Sequence, residues 1–203
     1  MSIPVLLAAN YLPPVSYFHA IAKNPVDILL DQYEHFPKQT YRSRTHIATA
    51  NGILDLFIPI QHGRKEHVAM KEVKISYDHD WQRLHWSSIQ TAYRSSAYFE
   101  YYEDAFAPFY EKKYDYLFDF NVEQLQVVLR LLKIQREIKY TESYEESYPE
   151  ELDFRSSIHP KKTSVYARPK VYYQVFEDRT GFQPQVSIID LLFNQGPQSK
   201  MFL

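Results

Sequence analysis

Apolar residues run unbroken over 3–9 (IPVLLAA), the pattern of a short strand buried on both faces. A polar and aromatic turn, NYLPP, follows at 10–14, and 15–22 has room for one or two helical turns. Asn24-Pro25 interrupts again before 26–30 (VDILL), which reads as a second strand. Strand, turn, short helix and strand in this order make a small βαβ-like unit. In a parallel sheet ligands collect beyond the carboxyl ends of the strands. Asn10, Tyr11 and Asp31 each come directly after an apolar run, so they are candidates to face one crevice.

Further along, 41–47 (YRSRTHI) and 53–60 (ILDLFIPI) flank Asn51-Gly52, a strong hairpin signal. The stretch 73–77 adds a strand after the polar loop around Gly63. Helical spacing then takes over. Asp80 is placed to cap a helix carrying Trp81, Leu84, His85, Ile89 and Tyr93. Ser96 is placed to cap another, with Phe99, Tyr102 and Phe106 on one stripe, ending near Pro108. Asn121 with Gln124 has the form of a capping box for a helix over 122–139, whose stripe is Leu125, Val128, Leu129 and Leu132.

From 141 to 170 the periodicity fades. Six carboxylates between 142 and 153, followed by His159, Lys161 and Lys162, predict a loop or flap. Order returns at 171–176 and 186–193, where Ser187 is positioned to cap a helix begun by Ile188. The reading is a single α/β domain over 1–203: a small mixed β-sheet with an N-terminal βαβ-like unit and a helical second half. Residues 1–78 are mainly sheet, 79–140 mainly helical, 141–170 a loop or flap, and 171–203 a return to the core.

Composition narrows the function. Aromatics make up 16% of the chain, with 18 Tyr, so some phenol hydroxyls are expected to line a wet cleft or an interface. A net charge of −2 with mixed signs argues against nucleic acid or an anionic membrane as partner. The absence of Cys excludes disulfides, thiolate metal sites and a Cys nucleophile. Gly52, Gly63, Gly181 and Gly196 are too scattered for a Walker A loop or a dinucleotide fingerprint. No apolar run is long enough for a membrane span and 3–9 is too short for a signal-peptide core, so a cytoplasmic location is expected.

Candidate chemistry concentrates in KQTYRSRTH at 38–46. If extended, it aligns Lys38, Arg42, Arg44 and His46 on one face, able to hold a diphosphate or carboxylate. The alternative is a solvated sheet face with surface ion pairs. His85 falls one turn after Trp81 and one before Ile89, hence inward, either as a general base or as a core hydrogen-bonding group. Asp190 interrupts the apolar run VSIIDLLFNQG and needs a cation or backbone amides, whether it anchors a loop or binds ligand. His62/His67 and His79/His85 lack the spacing of a zinc pair, and neither HExxH nor GxSxG occurs; no metal or cofactor is expected.

YLPPVSYF at 11–18, LDQYEHFPKQTYRSR at 30–44, the Asn-Gly hairpin with Pro59, DWQRLHWSSIQTAYRSSAYFEYY at 80–102 and FQPQVSIIDLLFNQGP at 182–197 together resemble the WbqC-like protein family of bacteria. Ala9-Asn10 stands where the family commonly has Gln-Pro, and Ser43 where it often has Asn. The resemblance implies handling of nucleotide-activated or amino sugars in surface-polysaccharide biosynthesis. The resulting expectation is a group transferase taking a nucleotide-activated sugar as small-molecule partner. In it His85 or Asp31 moves protons, Lys38, Arg42 and Arg44 hold the anion, Tyr11 and Trp86 stack on a ring, and Asn10 and Asp190 complete the site. The alternative is a non-catalytic binding or scaffold protein of polysaccharide-synthesis enzymes.

Overall fold

A computed structural model describes residues 2–61, 67–162 and 170–203. The loop around Gly63 and the last part of the 141–170 segment lie outside the described residues. β1 (Val5–Leu7), α1 (Val15–Lys23) and β2 (Ile28–Leu30) form the expected βαβ unit, with Val5 to Leu7 facing Ile28 to Leu30 in parallel register. All of β1, with Ile28 and Leu30, is inaccessible to water, which is why this segment reads as a continuous apolar run rather than an alternating one.

β3 (Arg44–Thr49) and β4 (Gly52–Phe57) make the hairpin, closed where Thr49 faces Gly52. The turn residues are Ala50 and Asn51; neither has positive φ, and Gly52 carries it at 102°. A left-handed glycine directly after a tight turn lets the strands keep their twist. Residues 73–77 form no strand, only isolated bridges from Ile75 to Ile60 and from Lys74 to Tyr116.

Helices follow: α2 (Trp81–Tyr93), α3 (Phe99–Phe106), α4 (Pro108–Glu111) and α5 (Leu117–Leu131). Two expected caps are otherwise engaged. The Asp80 carboxylate pairs with Arg83 Nε at 2.6 Å, and Ser96 donates to the Tyr93 carbonyl ahead of α3. The helix expected over 122–139 starts earlier and ends sooner. Asn121 lies inside it, its amide donating to the Ala9 and Arg42 carbonyls. The chain leaves the helix at Lys133, where φ is 53°. It then becomes β5 (Ile138–Tyr140), parallel to β2. The positions that would carry the stripe onward hold Gln135, Arg136 and Lys139, so the apolar stripe itself stops at Leu132, next to the true end.

The three-stranded sheet has the order β1-β2-β5, extended beyond β1 by a parallel bridge from Leu6 to Asp153. α6 (Glu177–Thr180) precedes α7 (Ile188–Gln195), which is capped by Ser187 as expected and packs against α1 and α3. The chain is thus α/β, with parallel and antiparallel pairing divided between two small sheets and helices gathered in its second half. No helix among the described residues is long and apolar enough to cross a membrane.

Candidate functional site

Beyond β1 the chain turns through Asn10, Tyr11 and Leu12, the last with φ at 37°. The Leu12 carbonyl accepts from Thr45 Oγ1 at 2.8 Å and Ser187 Oγ at 2.9 Å, and the Tyr11 amide donates to Tyr41 at 2.8 Å. This turn therefore joins the hairpin and α7 to the first strand. Tyr11 is fully buried, its hydroxyl 2.9 Å from both His85 Nδ1 and the Tyr110 hydroxyl. The Phe57 carbonyl also lies close to the His85 ring. Burial, against the pull of that carbonyl, lowers the His85 pKa to about 4.

Trp86 stacks on Tyr110 with centroids 5.4 Å apart. Tyr11, His85 and Trp86 are thus close together as expected, but within an aromatic core. His85, 5% exposed, therefore sits as the inward hydrogen-bonding histidine that was one of its two expected roles. Asn10, 3% exposed, is buried at the same turn.

The basic segment is not one extended row. Residues 38–43 form turns, with Gln39 at φ 59° and the Thr40 hydroxyl donating to the Pro37 carbonyl. Arg42 faces inward: Nε lies 2.7 Å from Glu34 Oε1, and Nη2 donates to the Arg155 carbonyl at 3.1 Å. Burial pushes the Glu34 carboxyl up, against the opposing pull of Arg42. Only Arg44 and His46 share a strand face, where Asp55 across the hairpin lies 3.8 Å and 3.1 Å away respectively.

A cavity of about 540 Å³ opens instead at the carboxyl end of β2. Asp31, directly after that strand, is fully buried. Its Oδ1 accepts the Tyr33 and Glu34 amides at 3.0 Å and the Thr141 hydroxyl at 3.2 Å. Its Oδ2 accepts from Arg155 Nη1 at 2.6 Å. Arg155 arrives because the Phe154 amide bonds to the Leu6 carbonyl at 2.9 Å, placing that loop along β1. The location is the one expected for a parallel sheet.

Lys38, Arg42, Arg155 and Lys162 line this cavity against only two carboxylates, Glu34 and Asp153. Both arginines are neutralised by buried partners. Lys38 and Lys162 make no ion pair with a described residue; Lys162 Nζ donates to the Ser156 carbonyl at 3.0 Å. His159, also in the lining, has its pKa lowered by burial and then by the charges of Lys162, Arg42, Lys161 and Arg44. Arg44 thus contributes to the field without lining the cavity. The Lys161 amide donates to His159 Nδ1 at 3.1 Å, so the neutral ring carries its proton on Nε2.

Of the expected site residues, Lys38 and Arg42 line the cavity and Asp31 supports it. Asn10, Tyr11 and His85 lie in the interior instead, and Trp86 is half-buried against it. Asp190 is elsewhere and meets no cation among the described residues: Oδ2 accepts from the Tyr172 hydroxyl at 2.9 Å and Gln174 Nε2 at 2.7 Å, with the Tyr93 hydroxyl bonding as well. Burial raises its pKa to about 6. Sequence reasoning missed Glu34, His35, Tyr144 and Arg155, and it noted His159 and Lys162 only as the end of an acidic loop. No local pattern marks Arg155, whose partner Asp31 is 124 residues away. Among the described residues no three His, Asp or Glu gather as metal ligands.

The model of the WbqC-like protein family matches residues 9–161. The chain is also similar to the uncharacterized protein Rv1507c of Mycobacterium tuberculosis, 26% identical over 223 residues that cover 98% of this chain and 96% of that protein. No solved structure matches the chain.

Proposed function

The chain belongs to the WbqC-like protein family, and from that membership and the chemistry of the cavity we propose a transferase acting on an activated or amino sugar in bacterial surface-polysaccharide biosynthesis. The polysaccharide setting comes from what the family resemblance implies. One observation carries the anion site: Lys38 and Lys162, unneutralised by any described residue, share a cavity with a histidine whose charge is suppressed by burial and then by surrounding cations. An anionic ligand relieves that repulsion. Lys38, Lys162 and Arg42 hold its phosphate or carboxylate oxygens, and His159 offers its Nε2 proton as a hydrogen bond. Asp31 keeps Arg155 in place rather than moving protons itself, because all its nearby donors are already satisfied.

Calorimetric titration with UDP-N-acetylglucosamine tests this on the wild type and the Lys38→Ala/Lys162→Ala double variant. Each lysine is worth about 1 kcal/mol at such an exposed position, so affinity falls tenfold or more, and wild-type binding weakens with salt. Equal affinities for the two proteins overturn the anion site.

A scaffold reading is favoured by a different observation. Glu34 and Asp153 are both held by arginines, and β4 exposes Ile53 and Phe57 to 49% and 48%. Under it the ligand is retained intact. Mass spectrometry of donor and acceptor mixtures decides: a product supports the transferase, and binding without turnover supports the scaffold.

A further inference from the structure

The same cavity has an aromatic side that its cations do not explain. Tyr144, from the loop after β5, leaves 54% of its surface exposed and lines the cavity beside exposed His35. The two rings are nearly parallel, 8° apart, with centroids separated by 6.3 Å. His67 stacks on His35 at 5.0 Å, and the Arg155 guanidinium lies 5.4 Å from the Tyr144 centroid. His35 is held by its bridge to Ala69 and the Phe36 amide bond to Val68 at 2.9 Å. A tier of flat rings is therefore anchored through His35, and Tyr144 leaves more than half of its surface to solvent. Rings left this exposed gain by covering with another flat ring, and stacking on Tyr or His serves any heteroaromatic base.

We infer that the Tyr144–His35 pair is a base-stacking subsite and that the ligand class is a nucleoside diphosphate, its ring on this tier and its phosphates toward Lys38 and Lys162. The inference rests on the anion site proposed above and deepens it. A cavity of about 540 Å³ accommodates a ligand of that size. The stacked pair, rather than a single ring, favours a flat base over a puckered sugar. The guanidinium of Arg155 adds a cationic plane beside it.

The test compares UDP, inorganic diphosphate and glucose 1-phosphate as probes, by calorimetry, on the wild type and on Tyr144→Ala and Tyr144→Phe. The wild type binds UDP at least tenfold more tightly than either other probe. Tyr144→Ala removes most of that gain while leaving diphosphate binding unchanged, and Tyr144→Phe, which keeps the ring, retains it. The inference is overturned if UDP binds no better than diphosphate or glucose 1-phosphate, or if Tyr144→Ala keeps the gain. Those results, with diphosphate still bound, leave the anion site standing. If diphosphate itself does not bind, the anion site fails and this subsite with it.

Discussion

Arg155 serves two carboxylates at once, with Nη1 2.6 Å from Asp31 and Nη2 2.6 Å from Asp153. Burial opposes its charge, but the hydrogen bonds of Asp153 and Asp31 outweigh that and raise its pKa. Asp31 is the vulnerable partner. It is fully buried, and without Arg155 it keeps two amides and one hydroxyl but no cation among the described residues. Breaking one side of a buried pair costs more than the pair contributes, because an uncompensated charge remains. Arg155→Ala is expected to lose about 3–5 kcal/mol in urea unfolding, and adding Asp31→Asn to recover part of that loss. A loss below about 1 kcal/mol, or no recovery, means the pair does not hold the cavity together. No reading of the sequence joins these residues. One follows an apolar strand and was legible as a strand-end carboxylate; the other sits among acidic residues in a stretch without periodicity, and only the folded chain brings them together.

Two glycines show how a turn and a helix end depend on different physics. Gly52 has φ at 102° and open space where a Cβ would go, so Gly52→Ala carries only the conformational penalty, about 1–2 kcal/mol. Gly196 ends α7 with φ at 54°, and an added Cβ would collide with the Tyr98 ring. The clashing atoms include Cγ at the root of the ring, and the Tyr98 amide holds the backbone there by its bond to the Phe193 carbonyl at 2.9 Å, so turning the ring alone does not clear the Cβ. Gly196→Ala is therefore expected to cost at least twice as much as Gly52→Ala in the same urea assay, and equal losses would show that the ring yields. Of the two, only the hairpin glycine was readable, because Asn-Gly between alternating runs is a local signal. Elements whose patterns are local were likewise legible: the N-terminal βαβ unit, the hairpin, α2 and the Ser187 cap. β5 was not, because its strand identity comes from pairing with β2, and neither was the bend at 38–43, where Gln39 leaves the extended region.

Across the whole molecule, two buried groups outside the cavity set opposing responses to acid. His85, facing the Tyr11 hydroxyl and the Phe57 carbonyl, ordinarily titrates near 6.5 and is lowered by burial to about 4. Its contribution to stability is full above pH 6.5 and is lost as pH falls toward 4. Asp190, facing the hydroxyls of Tyr93 and Tyr172 and the Gln174 amide, is raised by burial from 3.8 to about 6. Its contribution is full below its unfolded value and is lost as pH rises through about 6. Each shift corresponds to about 3 kcal/mol, so between pH 4 and 6 the two slopes largely cancel. Single variants separate them. His85→Gln keeps an acceptor for Tyr11 and a donor for Phe57 but cannot take a proton, so the difference between wild type and variant shrinks by about 3 kcal/mol on acidifying from pH 6.5 to 4. Asp190→Asn removes the other slope, and its difference from wild type moves against the wild type by a similar amount between pH 4 and 6. Chemical denaturation at half-unit pH steps reads both curves. Parallel wild-type and variant profiles would mean that each group keeps its ordinary pKa in the folded protein, whereas diverging profiles over these two ranges follow if burial shifts each as described.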